Sequence, residues 1–170
     1  MPTVPVTEEP LWLFGRLVEC SALDPVPDYP AAALAASAAI LALLGTDGSG
    51  NKSAFCGLPV DGPPFPVLCW RDMSTGGDPT DTEGWLSRVI IMQVDCVAFD
   101  PAVARQLCAA VDGLADVRSV DSDSFSLKTI RRDSGWRRLD YERRLSTESA
   151  RPCVQYSSDW TLVARRKQSP

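Results

Sequence analysis

The run WLSRVIIMQVDCVAF, from Trp85 to Phe99, constrains this chain more than any other segment. At a period of two, Ile90, Met92, Val94, Cys96 and Ala98 fall on one face, while Val89, Ile91, Val97 and Phe99 share the other with Gln93 and Asp95. A strand that is largely apolar on both faces belongs in the middle of a sheet, with a helix or another subunit over each side. The remaining elements have to be built around it.

Two main helices flank the run in sequence. Ala31–Leu44 places Leu34, Ala38, Leu41 and Leu44 at helical spacing among alanines, with Gly45 as its stop. Asp100 followed by Pro101 is a helix start: the Asp side chain accepts from free amides, and Pro fits the first turn. Val103, Leu107, Val111 and Leu114 then make one apolar stripe, and Gly113 closes the helix. Strands are expected around Phe55, at Val67–Trp70, Ser124–Arg132, Gly135–Leu145 and Pro152–Arg166. This order predicts an α+β fold, a mostly antiparallel sheet of about 4–6 strands packed with two main helices over residues 31–170. Residues 1–30 carry six prolines and read as an arm. Its one short helix, Glu9–Cys20, presents Trp12, Phe14 and Leu17 as a docking face.

Composition narrows the chemistry. None of the 170 residues is histidine, which excludes a Ser/His/Asp triad, a Cys/His dyad and a Cys₂His₂ zinc site within the chain. Six cysteines without a CxxC pair read as buried thiols of a reducing compartment. The first apolar run follows Glu8 and Glu9 instead of a basic segment, and the second, Ala31–Leu44, falls short of the ~20 residues that cross a bilayer. A cytoplasmic chain without a membrane partner is expected. The net charge of −5 is unevenly divided: residues 1–124 hold 6 basic and 17 acidic side chains, residues 125–170 hold 11 basic and 5 acidic. Either the last strands show a basic face balanced within the subunit, or the basic edge of one copy meets acidic loops of the next. A third reading, nucleic-acid binding by the Arg-rich segment, has the overall acidity and the Asp140 and Glu142 set among those arginines against it.

The motifs with chemical meaning are weak. GTDGSGNKS, Gly45–Ser53, approaches a phosphate-binding loop, but Asn51 separates Gly50 from Lys52 and the loop follows a helix instead of a strand. Asp72, Asp78, Asp81 and Glu83 gather in a glycine-containing loop without calcium-hand spacing. Asp140 and Glu142 alternate with Arg138 and Arg144, a pattern of ion-paired sheet decoration. No catalytic residue, cofactor site or metal site is expected, and the chain reads as a non-enzyme.

Residues 31–166 resemble the tail terminator (tail completion) family of long-tailed bacteriophages, the lambda-type proteins that cap the tail tube. The resemblance lies in the leading helix, the turn-rich GLPVDGPPFPVLCW (Gly57–Trp70), the long acidic loop with Gly76 and Gly77, the strand GWLSRVIIMQVDCVAFD, the helix PAVARQLCAAVDGL and the closing DWTLVARR. The arm at 1–30 and the polar stretch 146–153 depart from it. The resemblance implies a homo-hexameric ring that stops tail polymerisation and forms the head–tail joining surface. Implied partners are further copies of the chain, the tail-tube protein and a head-completion or connector protein, with DNA passing through the lumen without specific binding. The implied location is the host cytoplasm during assembly and then the head–tail junction of the virion. For the ring contact the strand pattern selects Arg138, Asp140, Glu142 and Arg144 with Arg165 and Arg166, on the expectation that Leu139, Tyr141 and Leu145 face the core. Asp72, Asp78, Asp81 and Glu83 are expected on a flexible loop facing tube or lumen. Two competing readings are a neck or head-completion ring protein, and a small nucleotide-binding domain or hydrolase using the Lys52 loop.

Overall fold

The computed structural model describes residues 9–24, 29–57, 63–73, 87–117, 120–121, 125–141 and 152–167. In chain order these form α1 (Glu9–Val18), α2 (Ala31–Leu43), β1 (Ala54–Cys56), β2 (Val67–Asp72), β3 (Ser87–Ala98), α3 (Pro101–Asp112), β4 (Val120–Asp121), β5 (Phe125–Arg132), β6 (Arg137–Tyr141) and β7 (Cys153–Arg166). The fold is α+β. Its single sheet has seven strands in the order β1-β2-β3-β7-β5-β4, with β6 also paired to β7. The sheet is slightly larger than expected, the additional piece being the two-residue β4, and the short helix expected at Glu9–Cys20 is present as α1 beside the two main helices. The sheet is also mixed, since β1 runs parallel to β2.

β3 lies between β2 and β7, as its apolarity on both faces requires. Ile90, Met92, Val94, Cys96 and Ala98 are buried in the main core, toward the helices. α3 begins as its sequence dictates, with the Asp100 carboxylate accepting from Ala102 N–H at 2.8 Å and Pro101 in the first turn. The α2 stripe is shifted from the expected one: Ala33, Ala36, Ser37 and Ile40 are buried, Leu34 and Leu41 pack partly buried against the core, Leu44 is buried as expected, and Ala38 is exposed. Close approach explains the choice. A Cβ on Gly113 would stand 2.9 Å from Ala36 Cβ, so α2 turns its smallest residues to α3. Ser37 Oγ, fully buried, reaches Val18 O at 2.7 Å and Cys20 O at 3.2 Å and so closes the C-terminal end of α1.

Within the expected arm, α1 contributes to the core. Leu13, Phe14, Leu17 and Val18 are fully buried on the helix side of the sheet. The Phe14 ring meets Trp70 edge-on at 5.5 Å and Trp160 at 6.2 Å. Gly15 makes this crossing feasible, because a Cβ there would lie 2.9 Å from the Trp70 ring. Of the expected docking face, Phe14 and Leu17 therefore dock within their own chain, while Trp12 stays exposed. None of the six cysteines is in a disulfide; five are buried, but Cys56 on the edge strand is exposed, which corrects the expectation of six buried ones.

Candidate assembly surface

The face of the sheet turned away from the helices divides into a covered end and an open end. At the covered end Val67, Val97 and Cys153 form a small second cluster with Phe55 and Phe65. Beside it lies a buried polar row. Asp95 accepts hydrogen bonds from Ser157 Oγ and, at 2.8 Å, from Gln93 Nε2, while Gln155 Nε2 donates to Ser157 Oγ at 3.0 Å. These donors satisfy a carboxylate that is 3% exposed. They also fix register, because a one-residue slip of β3 would carry Asp95 into the main core.

The open end is apolar. Val89 and Ile91 of β3 are 60% and 49% exposed, and they stand opposite Val163 and Thr161 of β7. Met73, whose N–H donates to Ile91 O, is 43% exposed beside them. Antiparallel partners bring their Cβ atoms to about 4.5–5.5 Å, so these side chains form one contiguous patch. Cations rim it. Arg165 follows Val163 on the same face, and Lys128 sits at the irregularity between Leu127 and Thr129 where β5 meets β7. Among the described residues Lys128, Arg165, Arg166 and Lys167 are all exposed, and none forms an ion pair. Other arginines of the basic C-terminal third are balanced within the subunit: Arg131 pairs with Asp133 at 2.7 Å, Arg132 with Asp112 at 2.5 Å and Arg137 with Asp159 at 3.2 Å.

The structure separates the residues expected to form one ring contact. Arg138 pairs in register with Tyr156 and Asp140 with Val154, whereas Arg165 and Arg166 end β7, nine or more positions along that strand. That is about 30 Å. The facing of β6 also differs: Leu139, expected in the core, is exposed on the face turned away from the helices, opposite Gln155, and Arg138, exposed as expected, stands on the Tyr156 side. Trp136 sets this parity. Its ring packs 6.4 Å from Trp160, and its Nε1 donates to Asp112 Oδ1 at 3.0 Å, so the helix side belongs to Trp136 and to every second residue after it. Glu142 and Arg144 lie outside the described residues, as do Tyr141's and Asp140's side chains and Leu145. Of the acidic loop, Asp72 is exposed at the end of β2, paired in register with Met92; Asp78, Asp81 and Glu83 lie outside the described residues.

The loop with Lys52 is closed on itself. Asp47 Oδ1 accepts from Ser49 N–H and Asn51 N–H, both at 2.8 Å, and Oδ2 accepts from Asn51 Nδ2 at 3.1 Å. These bonds, the Asn51 amide foremost, hold the Asp47 carboxyl below its ordinary range. The amides that would cradle a phosphate are thus taken by the chain's own carboxylate. Sequence reasoning named the second face of β3 but not Met73 or the cation rim as parts of one patch, since both depend on which strands become neighbours. No protein-family model matches the chain, and no curated protein matches it.

Proposed function

We propose that this chain is a structural ring subunit of a long-tailed bacteriophage, one that caps the tail tube, stops its polymerisation and presents the joining surface to the head. The observation that carries the reading is the open end of the sheet: an exposed apolar patch on the central strand, rimmed by unpaired cations. Such a patch on a chain of net charge −5 favours contact with an acidic, partly apolar surface of another protein. The order of elements and the motifs of residues 31–166 support the tail terminator assignment, and contacts between two different patches suit a closed ring. The nucleotide-binding alternative loses support from the Asp47-filled loop.

The reading is tested by sizing the purified chain with and without the tail-tube protein of the same phage. It expects a monomer or weak, salt-sensitive oligomer alone and a ring-sized species bound to tube ends. A stable two-fold dimer that ignores both salt and tube protein would contradict it.

A further inference from the structure

On the opposite side of the subunit, at the β1 edge, α1 leaves a groove of about 400 Å³. Its walls include the Trp12 and Trp70 indoles and the carboxylates of Glu19 and Asp24. Trp12 is 45% exposed, and Leu23, close in sequence to Asp24, is 92% exposed. The cation lining the groove, Arg16, is already held: its guanidinium lies 5.0 Å from the Trp12 ring centre, and its Nε donates to the Tyr29 hydroxyl at 3.3 Å. Among the described residues, two carboxylates against one committed guanidinium leave the groove with negative charge beside aromatic surface. That combination suits an arginine side chain, which stacks on indole and pairs with carboxylate.

The chain carries one run of three adjacent cations, Arg165–Arg166–Lys167, and it is the exposed end of β7 described above. We infer that this end of β7 in one copy seats in the α1/β1 groove of the next. The two surfaces cannot meet inside one subunit. The groove lies by Cys56 and Trp70, which align across the sheet with Val94 and Ser158, so the cations stand roughly 25 Å further along the strands and about 14 Å across them. Two different patches joined between copies make a head-to-tail contact, the kind that closes into a ring or continues as a filament. Burial raises the Glu19 carboxyl above its ordinary value, so an incoming cation would meet a carboxylate already partly stripped of water. The inference deepens the ring reading above by naming the contact, and it rests on that reading only for the number of copies.

Cys56 lines the groove and is exposed, which supplies the probe. In the full chain carrying Lys167→Cys, mild oxidation at low salt and high protein concentration is expected to give a disulfide between Cys56 of one copy and the new cysteine of another. Peptide mapping identifies the pair, and Cys56→Ser abolishes it. A second arm reverses charge. Glu19→Arg with Asp24→Arg is expected to weaken self-association about tenfold, and adding Arg165→Glu with Arg166→Glu restores it, with folding checked by circular dichroism. Absence of the mixed disulfide, a cross-link that survives Cys56→Ser, or unchanged association in the charge-reversed chain overturns the contact. If tails require the protein for their normal length and no mixed disulfide forms in free chain or purified tails, the contact fails and the ring reading stands. If the disulfide forms and tails reach normal length without the protein, the contact stands and the tail-cap reading fails.

Discussion

Asp47 shows how one carboxylate decides what a loop can offer. With its oxygens taking the Ser49 and Asn51 amides, the Gly45–Ser53 loop is a self-sealed turn and not an anion cradle. Its pKa is lowered, so the stabilisation it provides is fully present above the ordinary value of 3.8 and is lost as pH falls through the lower folded value. We expect the Ser49 and Asn51 amide resonances to titrate together with a midpoint below 3.8; a midpoint at or above it would mean the turn is not sealed. Phe14 and Trp12 make a second residue-scale contrast two positions apart. Phe14→Ala removes a fully buried ring between two indoles and is expected to cost about 3–5 kcal/mol in urea unfolding. Trp12→Ala, at the exposed face of the same helix, loses mainly its contact with Arg16 and is expected to cost about 1 kcal/mol. Equal losses would show that α1 is not seated on the sheet as described.

At the scale of elements, the open end of β3 is the feature with a direct consequence. Val89→Asp with Ile91→Asp changes side chains that are already about half exposed or more, so the cost in stability is expected to stay within about 1 kcal/mol. Self-association and tube binding are expected to be lost, as read by sedimentation and by co-pelleting with tubes. A double variant that unfolds would instead place these residues in a covered core. Much of this layer is legible in sequence wherever local chemistry decides it. The Asp100–Pro101 start of α3 and the two-faced alternation of β3 both depend on the segment alone. The facing of β6 does not, because it is set by the distant partners of Trp136, Asp112 and Trp160. The buried stripe of α2 escapes the sequence for a similar reason: size matching to Gly113 outweighs the larger side chains Leu34 and Leu41. The α1/β1 groove is invisible until α1 is known to pack beside an edge strand more than thirty positions later.

At the scale of the whole molecule, the proposed contact joins charges of different copies that the described residues do not pair within one. Among the described residues Arg131, Arg132 and Arg137 are neutralised locally, whereas Arg165 and Arg166 stand exposed at the end of β7, far from the carboxylate-lined groove by α1. Each exposed pair contributes only about 0–1 kcal/mol, so single reversals are expected to be tolerated while paired reversals are not, since a ring repeats the loss at every contact. Assembly driven this way weakens with salt, because screening acts over about 8 Å at physiological ionic strength. Light scattering across a salt series checks this, with dissociation expected as salt rises. The central claim, that the chain ends tube growth, is tested most directly by the length distribution of tail tubes polymerised with increasing amounts of it. The account predicts tubes that shorten as the chain is added, each bearing one ring at a terminus in electron micrographs. Tubes of unchanged length at saturating chain, or chain bound along the tube wall, would contradict it.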